Sequence, residues 1–166
     1  TNAVISGDAF ACGGFLTVPL EFEARGIKRQ DIVEMKVADV GVHVYGNGLM
    51  VSDELIKNNP KVVQAFVRAM NRSFREMLAE SDAAIKALNA RDPLTVYKDE
   101  MERLNLLRPA IVTQRTRVTG LGYVDKAELE NQIEYVSSSV KMKTKPSAEQ
   151  IFNASFLPPL GERLPK

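Results

Sequence analysis

Residues 59–78 carry the strongest constraint in this sequence. Asn59-Pro60 places a capping side chain before a proline at the first helical position, where the missing N–H costs nothing. Beyond it Val63, Phe66, Val67, Met70, Phe74, Met77 and Leu78 recur at three- and four-residue spacing, one long apolar stripe. Any fold containing this helix has to supply a cover for the stripe. The expected cover is the Gly48–Val51 segment and a later helix containing Met101 and Leu104, with Val63, Phe66, Val67, Met70 and Phe74 buried between them.

Helical signals dominate from Ser52 onward. Ser52 reads as an N-cap for "DELIKN", with two acids in the first turn. Ser81 to Ala90 is a further short helix. Asp92-Pro93 opens another, with Tyr97, Met101, Leu104 and Leu107 on its buried face and a stop near Pro109. Asp125 with Glu128 matches a capping box, opening a helix through Ile133, Val136 and Val140. Pro146 to Phe152 adds a last turn before the proline-rich "FLPPLGERLPK".

The first fifty residues read differently, as α/β. Asp8 to Phe15 is a short apolar run ending at Gly13-Gly14, expected as a buried strand entering a loop. "VPLEFEARG" predicts a short helix with Gly26 as its left-handed cap. Ile32, Val33, Met35 and Val37 suggest a second strand, and Tyr45 to Val51 a third with Gly46 and Gly48 inside it. Glycine weakens a strand unless a bulge, a bend or a close approach is needed there.

Composition excludes several classes. With 166 residues and 45% hydrophobic residues, the chain can bury a core of its own. Lys and Arg number 22 against 21 Asp and Glu, so no global field recruits nucleic acid or an acidic membrane surface. A single cysteine, Cys12, permits no internal disulfide. No apolar run approaches the roughly 18 residues of a membrane span. The chain opens on "TNAVISGDAF" with neither Met nor a signal peptide, and reads as cut from something longer.

Residues capable of catalysis are sparse. His43 is the only histidine, and no Cys, Asp or Glu near it has the spacing of a dyad or metal site, so a structural or rim role is expected. Cys12 beside the glycine pair reads as a small core residue. "GLGY" at 120–123 is a turn, and "KMKTK" at 141–145 a solvated one. The expectation is no catalytic residue, no metal and no cofactor. What remains is a pair of glycine-marked segments, "CGGFLT" and "VHVYGNG", of the kind that hold small molecules at strand ends of open α/β sheets.

The succession "ISGDAFACGGFLTVPLEFEARG", "VADVGVHVYGNGLMVSDELIKNNPKVVQAFVRAM", "GLGYVDKAELENQIEYV" and "IFNASFLP" resembles the C-terminal half of a periplasmic substrate-binding protein of an ABC importer. The branch it resembles most takes nitrate, sulfonates, taurine and thiamine-pyrimidine precursors. The resemblance implies an α/β, two-lobe (type II) binding-protein fold, with short strands at the N-terminal end of this chain and a mostly helical remainder. Residues 1–40 would be part of the second lobe plus the return crossover, and residues 41–166 part of the first lobe with the C-terminal helices.

Carried onto this chain, the resemblance implies a ligand site of Gly14, Phe15, Leu16, Thr17, Tyr45 and Asn47, with a hinge at Gly41 and Gly46. The solute would be a small organic anion or neutral metabolite, bound without chemistry in the periplasm and delivered to a membrane permease. Relatives that bind a thiamine precursor often carry an acid after the Gly-Gly segment. Here Val18-Pro19 stands there, which disfavours a cationic ligand. Pyrimidine-precursor synthases of the family carry a cysteine-rich motif, and this chain has only Cys12. A ligand-sensing regulatory domain of the same fold is the alternative reading. Because one wall of the implied cleft is missing, a homodimer, a domain swap or another part of the same protein is expected to complete the surface.

Overall fold

The computed structural model describes all residues, Thr1–Lys166. Nine helices follow one another: α1 (Asn2–Ile5), α2 (Val18–Glu23), α3 (Asp53–Asn58), α4 (Pro60–Ala79), α5 (Ser81–Arg91), α6 (Tyr97–Ile111), α7 (Gln114–Thr119), α8 (Lys126–Ser139) and α9 (Ala148–Ile151). Short 3-10 turns lie at Arg29–Asp31, Val37–Val40, Ala154–Phe156 and Leu160–Glu162. None of these helices is long and apolar enough to cross a membrane. The chain divides into two units, one of residues 1–35 and 77–113, the other of residues 36–76 and 114–166.

None of the three expected strands forms. Residues 8–15 are a bend and irregular chain, Ile32–Lys36 is irregular, and residues 42–51 carry no regular structure. A strand exists only beside another strand, because its N–H and C=O groups need a neighbouring backbone. From His43 to Val51 no backbone N–H reaches another segment's carbonyl; the Tyr45 N–H goes to a side chain instead, Gln132 Oε1 at 2.9 Å. Alternation alone therefore does not make these segments a sheet.

In the first unit, α2 ends as its sequence predicts. Gly26 sits at φ +85°, its N–H bonds the Glu23 carbonyl, and the Ile27 N–H returns to Phe22 O, which is a Schellman closure. Phe22 beneath it is buried. Helices α5 and α6 pack as an antiparallel hairpin, with Ile85 and Leu104 buried. Between them the Asp92 carboxylate accepts the Leu94 N–H at 3.1 Å, and Asn89 Nδ2 donates to the Thr95 carbonyl at 2.8 Å. That turn delays the start of α6 to Tyr97, later than Asp92-Pro93 suggested. At the far end α6 runs through Pro109 to Ile111 rather than stopping at the proline. Arg108 holds the start of α5 by donating to Leu78 O at 2.9 Å and Ser81 Oγ at 2.5 Å.

In the second unit the helix starts follow their sequence signals. Ser52 Oγ accepts the Leu55 N–H at 3.2 Å, and Ser147 forms a full capping box with Gln150. Leu129, Ile133 and Ala148 form a small core, with Tyr45, Val124 and Phe152 packed against it. The register of α4 departs from expectation. Val63 and Asn71 are buried, whereas Phe66 is 51% exposed and Met70 and Phe74 are exposed as well, at 38 and 41%. The buried row lies one flank away from the expected stripe because the C-terminal segment takes that flank. Arg68 there forms an ion pair with Glu162 at 2.7 Å, and Arg75 donates to Leu164 O at 2.9 Å and Glu162 O at 3.0 Å.

Candidate functional site

The expected ligand residues fall into two groups, one in each unit. Gly14, Phe15, Leu16 and Thr17 belong to the loop between α1 and α2 of the first unit. The loop is fixed at both ends. The Ala9 N–H donates to Ala3 O at 2.9 Å, and the Val18 N–H donates to Phe15 O at 3.0 Å. Thr1 Oγ1 also reaches the Glu21 carboxylate at 2.8 Å, tying the start of α1 to α2. Thr17 stands at the N-cap of α2 and accepts the Leu20 N–H through its carbonyl, while its hydroxyl makes no cap bond.

Glycine is required at position 14. A Cβ there would lie 2.2 Å from Val18 Cγ2, so only a residue without a side chain lets the backbone pass this close to the first turn of α2. The loop carries its aromatic side chains outward: Phe15 is 71% exposed and Phe10 fully so. Cys12 between them is exposed as well, which overturns the core role expected for it. Phe10 was not among the residues anticipated for a site. Its signal was present in the near-symmetric "FACGGF", where two aromatics flank the flexible glycine pair, but a buried-strand reading turned it inward.

Tyr45 and Asn47 belong to the second unit, downstream of the Val37–Val40 turn. Gly41 ends that turn with φ +84°, a left-handed conformation that ordinary residues adopt only under strain. Gly46 has no such requirement, since its φ is not positive and a Cβ there would meet open space. Asn47 and His43 are exposed. Tyr45 is half-buried, its ring against the Leu129, Ile133 and Ala148 core.

The Tyr45 hydroxyl sits at the start of α8. It accepts the Asp125 N–H at 2.8 Å and donates to Glu128 Oε2 at 2.9 Å. The Asp125 carboxylate accepts the Glu128 N–H at 3.1 Å, the first half of the predicted capping box. The second half is replaced: Glu128 turns to Tyr45 and Arg115, and the Asp125 N–H is satisfied by the tyrosine. Arg115, then the Tyr45 hydroxyl, hold the Glu128 carboxyl below its ordinary range. Burial raises the Tyr45 phenol above its usual value, with Glu128 adding to the effect. This arrangement binds and positions backbone. It contains neither a nucleophile nor a base aimed at open space.

A shallow depression of about 320 Å³ beside α3 is lined by Ser52, Glu54, Leu55, Asn58 and Asn59, and none of the expected residues borders it. No three His, Cys, Asp or Glu side chains gather in a metal-binding arrangement.

Comparison with known proteins gives two matches. Residues 1–84 match the family described as "NMT1/THI5 like", a stretch that contains every expected site residue. The chain is also 26% identical over 151 residues to the riboflavin-binding protein RibY of Chloroflexus aurantiacus. That alignment takes in 89% of this chain and 42% of the relative, so the chain spans less than half of the relative's length. No solved structure matches.

Proposed function

Because the chain belongs to the NMT1/THI5-like family, we propose that it is part of a solute-binding protein of an ABC-type importer, and that its solute is a neutral, flat heteroaromatic compound of the flavin kind. The observation that carries this reading is the pair of outward-facing aromatics, Phe10 and Phe15, on either side of Gly13-Gly14. Exposed phenyl rings on a glycine-flexed loop offer apolar faces on which a planar ring stacks, at about 0.5–1.5 kcal/mol beyond area burial. The relative named for riboflavin binding supports the same ligand class over nitrate, the sulfonates and taurine, the members of that branch's ligand set with no large flat face to offer.

In this reading Gly14 lets the loop approach the ligand, Leu16 and Thr17 line its base, and Tyr45 and Asn47 are ligand residues carried by the second unit. Residues 1–40 serve the second lobe and return crossover, residues 41–166 the first lobe, and Gly41 and Gly46 absorb the hinge change. The protein works outside the cytoplasm and hands its solute to a membrane permease.

Titrating riboflavin with the chain and following flavin fluorescence tests the reading. Saturable quenching is expected, weakened at least about tenfold by Phe15→Ala, the loss of one stacking face with its buried area. A titration without saturable change, or one unaltered by both Phe15→Ala and Phe10→Ala, overturns the flavin assignment.

A further inference from the structure

Gly46 to Val51 is a span of chain held only at its two ends. Before it, the Tyr45 N–H donates to Gln132 Oε1 at 2.9 Å and the Tyr45 hydroxyl accepts the Asp125 N–H at 2.8 Å. After it, Ser52 Oγ caps α3. Between these anchors residues 46–50 are exposed and their backbone N–H groups make no hydrogen bond. Asn47 and Gly48 sit in the middle of the span. The Asn47 carboxamide is unpartnered, and a Cβ on Gly48 would meet open space, so nothing crowds or holds the peptide group between them. No other asparagine of the chain precedes glycine. Asn71, Asn89, Asn105 and Asn131 lie inside helices, where the next N–H belongs to the helical ladder, and Asn59 precedes Pro60, which has no N–H. We propose that Asn47–Gly48 is a self-modification site, at which the folded chain deamidates to aspartate and isoaspartate without an enzyme.

The chemistry uses only this chain and water. The Gly48 amide nitrogen, having given its proton to hydroxide, attacks Asn47 Cγ. The new N–Cγ bond closes a five-membered succinimide, and the Cγ–Nδ2 bond breaks, its nitrogen taking up protons from water to leave as ammonia. Water then opens the ring at either carbonyl. Opening at Cγ gives aspartate, and opening at the main-chain carbonyl gives isoaspartate, whose backbone runs through the former side chain. Nothing is oxidised or reduced. Glycine at position 48 matters because a side chain there would crowd the approach of nitrogen to Cγ. The open span also absorbs the extra backbone carbon of isoaspartate, since neither the Tyr45 anchor nor the Ser52 cap has to move for it. The formal net charge falls from +1 to zero, because one acid joins the 21 that face 22 Lys and Arg. In the solute-binding reading the same step replaces a neutral amide by an anion; the modification itself does not rest on that reading.

Incubating the full chain at mildly alkaline pH and weighing its tryptic fragments tests the assignment. The fragment of residues 37–57, whose only asparagine is Asn47, is expected to gain about 1 Da as the amide becomes an acid. The rate should rise with pH, because the attacking nitrogen must first lose its proton. An isoaspartate-specific methyltransferase should label the aged chain and not the fresh one. Gly48→Ala is expected to slow the conversion at least about tenfold, and Gly46→Ala, which keeps the Asn47–Gly48 pair, to leave it unchanged. Both added methyl groups meet open space, and circular dichroism checks that the helices persist. A free peptide of residues 42–52 gives the rate without the fold. The folded chain should match it within about threefold, as an unprotected segment does. A fragment that resists under conditions that convert the free peptide, or a Gly48→Ala chain that converts at the wild-type rate, overturns the proposal.

Discussion

Gly120 and Arg163 occupy adjoining space that leaves no room for a side chain at position 120. A Cβ there would lie 2.9 Å from both Cβ and Nη1 of Arg163. Gly120 also holds φ +80°, so the position is closed to other residues by backbone and by neighbour. The close approach lets the buried Arg163 guanidinium donate to Thr119 O at 2.9 Å, Leu121 O at 3.0 Å and Pro158 O at 2.8 Å. In return the Leu121 N–H bonds the Arg163 carbonyl at 2.8 Å. Gly120→Ala is expected to cost about 1–2 kcal/mol from the left-handed backbone alone, and more from the collision. Urea denaturation compared with Gly26→Ala, which shares the left-handed backbone at φ +85° but meets open space, separates the two contributions.

Arg163→Met keeps most of the side chain's volume and removes its three hydrogen bonds, leaving buried carbonyls without donors. The expected loss is about 2–4 kcal/mol, because charged donors are worth more than neutral ones and orphaned acceptors add their own penalty. Amide exchange at Leu121 is the local readout. It should accelerate far more than exchange within α5, and unchanged protection at Leu121 would show that the segment is held by something else.

Tyr45→Phe leaves the ring on the Leu129 and Ile133 core and removes only the hydroxyl. It orphans the Asp125 N–H, which had been accepted at 2.8 Å. A loss of about 1–2 kcal/mol is expected, and Tyr45→Ala should cost more because the packing goes too. Equal losses for the two variants would mean that the ring contributes nothing.

The same cluster sets a pH window. Glu128 has its folded pKa depressed, by Arg115 first and Tyr45 second, below the ordinary value of 4.5. Its contribution is therefore present above that value and lost as pH falls through the lower folded one. Tyr45 has its folded pKa raised above 10.0, by burial first and then by Glu128. Its contribution is complete below pH 10.0 and lost as pH rises through the raised value. Denaturation midpoints plotted against pH should show both edges. Glu128→Gln should abolish the acid edge of this cluster, and Tyr45→Phe the alkaline one.

In the α5–α6 hairpin, Leu104 is 6% exposed and Leu94 is 92% exposed. Leu104→Ala should cost about 2–5 kcal/mol as a core truncation, whereas Leu94→Ala should stay within about 0.5 kcal/mol. Comparable losses at the two sites would contradict the hairpin's packing.

What could be read in advance was local chemistry. Ser52, Asp125 and Gly26 act through backbone groups two to five residues away, and each caps its helix as its type and spacing predict. Features requiring a distant partner could not be read the same way. The glycine-punctuated run from Tyr45 to Val51 alternates like a strand but has no strand beside it, and its one anchored N–H ends on Gln132. The apolar stripe of α4 gave the helix but not its buried flank, because Arg68 and Arg75 settle that choice by reaching the C-terminal segment. Cys12 and Phe10 were read as interior from their apolar neighbours, yet the glycine pair beside them leaves the loop without a face to bury.

The tyrosine that completes the cap of α8 lies 80 residues before Asp125. Closing a loop of that length costs chain entropy that grows as about 3/2 RT ln n, and it comes due before the contact returns anything. Most helices begin with a cap supplied from within a few residues, so their ends are set during the first moments of collapse. Here half of the cap is local and half must wait for a remote segment to arrive. A peptide of α8 alone would therefore fray at its first turn. In the whole chain that end is complete only where the distant segment is docked on it.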